Sequence, residues 1–175
     1  MTLNRKPKPS IPSILLWDNG GNQAFTSTGE FHTWDTEQIK TSHFWYKIDG
    51  TKVILENNQQ NMYEVTFECS FYTYANASIT LQSDIYKNGV IVDGSQSKMS
   101  LVGSGQAATV RNCLSIHFLL YLKGGDYIQI KSITDSVYVV HSHPDTSRLM
   151  INFMPIRGWD NSKAGRIEYK GSVLR

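Results

Sequence analysis

Two histidines separated by one residue are the best candidates for metal chemistry in this chain. His141 and His143 lie in the polar segment His-Ser-His-Pro-Asp, which ends at Asp145. Two imidazoles at this spacing can converge on a cation, and a carboxylate could add an oxygen ligand. A polar loop needs no metal, so the alternative is that these side chains are simply solvated. We therefore name His141, His143 and Asp145 as metal candidates but expect no cofactor.

Other side chains that can do chemistry lack the surroundings that catalysis needs. Cys69 and Cys113 lie in strongly patterned strands, which predicts two buried thiols, and a disulfide would require those strands to be neighbours. No Ser or Cys lies in a nucleophile elbow. The 103–105 segment, Gly-Ser-Gly, is too short to cradle a phosphate and is predicted to be a flexible connection. We expect a protein that is not an enzyme.

The element best defined by its pattern is the stretch 62–73. Its apolar residues alternate with polar ones in a period of two, which predicts a long strand with one buried face and one wet face. The buried set is Tyr63, Val65, Phe67, Cys69 and Phe71, and the wet set is Glu64, Thr66, Glu68 and Ser70.

Further short strands are separated by turn signals, and no segment shows a sustained helical period. Loop or a single turn is expected over 35–41, and strands over 109–122, 137–140 and 149–154. The total is nine or ten strands, which is typical of an antiparallel sandwich or jelly roll.

Composition fits one soluble domain of 175 residues, with 40% hydrophobic and 18% charged residues. No apolar run is long enough to span a membrane, and the basic start is not followed by an apolar signal region. We divide the chain into an extended basic arm over 1–12, a jelly-roll domain over 13–154 and a basic extension over 155–175. On this basis we expect synthesis in a cytoplasm, unless a leader was removed.

The basic residues are concentrated in the two tails. The tails sum to +6 in a chain of net charge +2. They are either solvated or lie on an acidic neighbour. In the second tail, Trp159 either packs on its own subunit or anchors the tail on a neighbour, together with Arg157 and Arg166. The first tail has no interleaved aromatics, so no specific nucleic-acid recognition is expected.

Three motifs in order resemble the tumour necrosis factor (TNF) and complement globular-head superfamily. Residues 61–67, Asn-Met-Tyr-Glu-Val-Thr-Phe, resemble its G-x-Y-x-(V/F)-x-F strand, and residues 87–89 match its K-N-G turn. Residues 120–128, Leu-Tyr-Leu-Lys-Gly-Gly-Asp-Tyr-Ile, match its L-x-L-x-x-G-D-x-(V/I) turn. The segment 147–153 resembles its closing strand, so the resemblance covers about 31–154.

The resemblance implies an all-β, antiparallel ten-stranded jelly roll that usually assembles as a homotrimer and has a binding or structural role. The chain departs from the family pattern in three ways. Asn61 replaces the usual glycine, no collagen-like stalk precedes the head, and about twenty residues follow the last family strand. The fold is therefore expected to carry over better than any particular partner.

The second long strand supports self-association independently. One face holds Val110, Leu114, Ile116, Phe118, Leu120 and Leu122, which are expected to fill the sandwich. On the other face, Cys113, His117, Leu119 and Tyr121 are more apolar than a solvated face requires, as in an interface core. The alternative is that a loop covers this face. We predict that these four residues line the contact between subunits.

Two functional classes remain open from sequence. The first is a structural component of a virus particle (minor capsid, spike or fibre), assembled in the host cytoplasm, whose terminal arms hold neighbouring particle proteins. The second is a receptor- or glycan-binding trimeric head of a secreted or surface protein, which would place it outside cells. The arms at both ends favour the first.

Overall fold

A computed structural model describes residues 13–18, 20, 22–40, 46–56, 61–103, 112–144 and 146–154. These residues form fourteen strands, of which ten contain four residues or more. No described helix could cross a membrane. The strands are β1 Ser13–Asp18, β2 Ala24–Phe25, β3 Glu30–Phe31, β4 Thr36–Lys40, β5 Tyr46–Asp49, β6 Lys52–Leu55, β7 Asn61–Tyr72, β8 Ser78–Lys87, β9 Val90–Ile91, β10 Ser97–Val102, β11 Asn112–Leu122, β12 Tyr127–Thr134, β13 Val140–Ser142 and β14 Ser147–Phe153.

The strands make two antiparallel sheets that pack face to face. The first sheet has the order β2-β13-β7-β14-β1-β4, and β11 pairs with β7 on its other side. The second has the order β10-β8-β12-β6-β5, with β3 on β12 and β9 on β8. This is an antiparallel jelly-roll sandwich, so the predicted fold class is confirmed.

The centre of the first sheet is β7, whose predicted alternation is correct. Its predicted buried set is fully or almost fully excluded from solvent and joins the core that both sheets share. Because alternate side chains of a strand point to opposite faces, one register puts this whole predicted set inward. The outward set is Met62, Glu64, Thr66, Glu68, Ser70 and Tyr72.

The two turn motifs are built as their sequences require. Asn88 and Gly89 have φ values of 53° and 81°, the left-handed conformation of a tight hairpin turn. Burial alone would raise the pKa of Asp126 in the second turn. Hydrogen bonds from the Asn88 side chain (2.8 Å) and the Lys123 amide (3.0 Å), with the Lys87 ammonium at 3.1 Å, instead hold that pKa below its usual range. The two motifs thus join into one ionic and hydrogen-bonded unit.

Three sequence expectations about local structure are wrong. The polar segment 36–40, expected to be loop, is strand β4, which pairs with β1. The segment Val137–Val139, expected to be strand, is an exposed bend, and the strand begins only at Val140. Gly103, the first residue of the 103–105 segment expected to be flexible, is buried and donates its amide to the Ala77 carbonyl at 3.1 Å, while Ser104 and Gly105 lie outside the described residues.

Candidate functional site

The outward face of β11 is the clearest candidate for a binding surface. Along this strand Leu114, Ile116, Leu120 and Leu122 are buried, while the predicted interface residues Cys113, His117, Leu119 and Tyr121 are exposed. Leu119 and Tyr121 retain 54% and 43% of their accessible surface. Among the described strands, β11 pairs with β7 alone.

The register places specific neighbours beside this face. Tyr121 lies opposite Met62, Leu119 opposite Glu64, and His117 opposite Thr66. Thr66 lies opposite Met150 of β14 on its other side. The outward surface of the first sheet therefore carries an apolar end around Tyr121 and a polar middle around Thr66 and His117. We call the outward residues Cys113, Ser115, His117, Leu119 and Tyr121 the β11 face.

A cation–ring contact lies further across the same surface. The guanidinium carbon of Arg148 is 4.8 Å from the centroid of the Trp17 ring. Arg148 also lies opposite Glu68 of β7. The Arg148 charge on the outward surface thus faces a ring and an opposite charge, whereas Glu64 faces Leu119 and Asn152.

The two cysteines have opposite environments. Cys69 is completely buried, as predicted, and burial raises the pKa of its thiol to about 12 against opposing hydrogen bonds from Ser147 and Thr146. Cys113 is exposed, so the prediction of two buried thiols is wrong for this residue. The strands are neighbours, but Cys69 lies opposite Leu114 and points inward while Cys113 points outward. Both cysteines are free.

One buried histidine was not recognised from the sequence. His32 is inaccessible to solvent and lies between the sheets, with its Nε2 2.8 Å from Ser132 Oγ. Its ring is 4.5 Å from that of Phe25 and 4.8 Å from that of Phe67, and its Nδ1 has no hydrogen-bond partner. Desolvation lowers the pKa of His32 to about 3. This His–Ser pair is sealed from any substrate, so it is part of the core.

The predicted metal candidates are placed beside a tyrosine. His141 stacks on the Tyr72 ring at 5.5 Å, and His143 meets its edge at 6.1 Å. The His143 Nδ1–H donates to the Pro144 carbonyl at 3.0 Å. Asp145 lies outside the described residues, within which no three potential ligands come together. The histidines therefore belong to an aromatic cluster.

The other predicted features cannot be placed on this surface. Arg157, Trp159 and Arg166, the proposed tail anchors, lie outside the described residues, as do both predicted arms and Val110.

Comparison with known proteins supports the fold. No protein-family model and no curated protein sequence matches the chain. Its structure is similar to that of murine APRIL at pH 5.0, with a TM-score of 0.57 and 12% identity over 83% of this chain and 100% of that one. It is also similar to Eiger TNF from S. frugiperda, with a TM-score of 0.57 and 13% identity over 83% and 93% of the two chains.

These similarities define the class of protein by its fold. The two-sheet topology, the three ordered motifs and the matched structures together show a TNF-like jelly roll. The sequence resemblance is thereby confirmed at the level of the fold.

Proposed function

We propose that this chain is a non-enzymatic head domain that works as a TNF-like homotrimer, held together through the β11 face. The observation that carries the proposal is the exposure of Leu119 and Tyr121 on a strand that, among those described, pairs on one side only. Exposed apolar side chains beside a polar rim are typical of surfaces that a partner covers. The family resemblance implies that the partner is a second copy of the chain.

The composition of the surface also favours self-association. Burying Leu119 and Tyr121 removes apolar area from water, at about 25 cal/mol per Å². The neighbouring Thr66 and His117 already pair with each other, with Oγ1 and Nδ1 3.2 Å apart, so covering them leaves fewer polar groups unsatisfied. A closed ring of three copies would repeat this contact three times.

The test is the mass in solution at micromolar concentration. Multi-angle light scattering is expected to give about three times the chain mass of 19.8 kDa. A mass of one chain across the micromolar range would contradict the proposal.

Two finer assignments remain predictions. A place in a virus particle, with neighbouring capsid proteins as partners, depends on terminal arms that lie outside the described residues. A receptor- or glycan-binding head is the second candidate. It is favoured by one feature, the exposed aromatic cluster around Tyr74.

A further inference from the structure

Four rings form a connected platform where β7 ends. Tyr72 lies at the end of β7, with Tyr74 edge-on at 5.3 Å and His141 stacked at 5.5 Å. Tyr74 also meets His141 at 6.0 Å, and His143 meets Tyr72 at 6.1 Å. We call Tyr72, Tyr74, His141 and His143 the aromatic platform.

The aromatic platform is held in place by hydrogen bonds beneath it. The Tyr72 hydroxyl donates to Asn22 Oδ1 at 2.7 Å, which fixes the central ring. The Thr73 hydroxyl donates to the Val139 carbonyl at 3.0 Å and accepts the Ala75 amide at 3.2 Å. These bonds tie the chain around Tyr74 to the exposed 137–139 bend. A surface fixed in this way loses little conformational freedom when it binds.

The exposed part of the platform combines an aromatic ring with polar groups. Tyr74 retains 55% of its accessible surface, and the histidines are partly exposed. Because its Nδ1–H is used by Pro144, neutral His143 has Nε2 as a hydrogen-bond acceptor. Desolvation, and then the neighbouring Tyr74 hydroxyl, raises the pKa of Tyr72, so this phenol stays neutral.

The charged and polar groups at the platform indicate which class of ligand it could bind. None of the four cation–ring contacts in the described part of the chain involves a platform ring. An anionic ligand would therefore find no lysine or arginine on the rings. A purely apolar one would leave exposed polar groups such as His143 Nε2 without a partner, which costs free energy. A neutral ligand with an apolar face and several hydroxyl groups matches both features.

We propose that the aromatic platform binds a neutral sugar, with the C–H face of a pyranose ring on Tyr74 and its hydroxyl groups hydrogen-bonded to the edges of Tyr74, His141 and His143. This gives the proposed head domain a ligand class. The sugar site depends on the proposed function in one respect only: an assembly of several subunits would carry several copies of the site.

The platform and the apolar end of the β11 face are well separated. The last β7–β11 pair at this end joins Phe71 to Asn112, and Tyr72 and Tyr74 lie beyond it. Near the opposite end Met62 pairs with Tyr121, nine residues of strand from Phe71, or about 30 Å away. Subunits that meet at Leu119 and Tyr121 would leave Tyr74 open to a ligand, whereas a contact that extends to Cys113, opposite Ser70, would approach the platform.

Saturation-transfer NMR on the full chain tests the proposal. The probes are the methyl pyranosides of glucose, galactose, mannose and N-acetylglucosamine, with methyl sialoside as a charged comparison. Saturation of the protein's aromatic protons is expected to reach the ring C–H protons of at least one neutral probe. Tyr74→Ala should raise its dissociation constant about tenfold, while Tyr74→Phe, which keeps the ring face, should raise it less. His141→Ala should also weaken binding.

The controls separate this proposal from that of the trimer. Val90→Ala, at an exposed apolar residue of the β8–β9 hairpin, should leave sugar binding unchanged. Light scattering on each variant shows whether assembly is intact. A trimer that binds no sugar would contradict the sugar proposal alone, and a monomer that binds sugar would contradict the trimer proposal alone. The proposal is overturned if no neutral probe receives saturation. It is also overturned if Tyr74→Ala binds like the unaltered chain.

Discussion

His117 Nδ1 and Thr66 Oγ1 lie 3.2 Å apart on the outward surface of the first sheet, where β11 and β7 run side by side. Thr66 is buried although it points outward, whereas His117 is exposed. The pair therefore marks the boundary between the covered middle of the sheet and its open edge. Leu119, two residues along β11, lies on the same face and is the most exposed large hydrophobic residue of that strand.

Leu119→Glu is expected to convert the proposed trimer to monomers. The new carboxylate would be desolvated at the subunit contact, and it would also face Glu64 on the neighbouring strand. The dissociation constant should rise at least about a hundredfold, measured by light scattering over a dilution series. Val90→Glu is the matched control, because Val90 is equally apolar and more exposed but lies on the other sheet. Equal dissociation by both variants would show that the β11 face is not the contact.

The sequence predicted the parts of the fold that local patterns determine. The alternation of β7 and the glycine-containing turns are short-range features, so their residues alone indicate their structure. The strand β4 was missed because its stability comes from pairing with β1, a contact between distant segments. His32 was missed for the same reason. A lone histidine carries no periodic signal, and its burial depends on Phe67 and Ser132, which lie far from it in the sequence.

The candidate site was predicted only in part. The period of two put Leu119 and Tyr121 on one face of β11, and the structure leaves that face exposed. The aromatic platform was not predicted, because it joins Tyr72 and Tyr74 to histidines about seventy residues away in sequence. The only trace of the platform in the sequence was the His-x-His spacing. That spacing suggested a metal site, because the sequence does not show that Tyr72 and Tyr74 lie beside the two histidines.

The two thiols are expected to react at very different rates. Cys69 is buried and its pKa is raised to about 12, so little thiolate forms and reagent cannot reach it. In Leu119→Glu, an aromatic disulfide reagent at pH 8 should label Cys113 quickly and Cys69 only after unfolding in denaturant. In the unaltered chain, Cys113 should react more slowly if subunits cover the β11 face. Equal Cys113 rates in the two proteins would place Cys113 outside the contact.

Acidification is expected to destabilise the sandwich through His32. Its pKa is about 3 in the folded state and ordinarily 6.5, so below pH 6.5 the unfolded chain binds a proton that the folded chain does not. The stability that depends on neutral His32 is complete above pH 6.5 and is lost as the pH falls. The loss should be about 2 kcal/mol between pH 6.5 and 5. Urea unfolding at constant protein concentration measures it.

A matched pair of variants assigns this pH dependence. His32→Leu removes the titrating group. Between pH 6.5 and 5 it should reduce the slope of the unfolding free energy against pH by about 1.4 kcal/mol per pH unit, whatever the substitution does to stability at pH 7. His141→Ala, at a partly exposed histidine, should keep the slope of the unaltered chain. If the slope survives in His32→Leu, another group is responsible.

Gly103→Ala is expected to be among the most destabilising small substitutions in the chain. A Cβ at this position would lie 1.9 Å from the Ala75 carbonyl oxygen and 3.0 Å from Thr73 Cγ2, so backbone would have to move. We expect a loss of about 3 kcal/mol in the free energy of unfolding, measured in urea. At Gly50 an added Cβ meets nothing within 4 Å, and only the φ of 59° is unfavourable, so Gly50→Ala should cost about 1 kcal/mol.

Because the displaced segment carries Tyr74, Gly103→Ala should also weaken sugar binding at the aromatic platform. Equal costs at the two glycines would mean that the 73–77 segment yields freely, and the platform would then not be held rigidly.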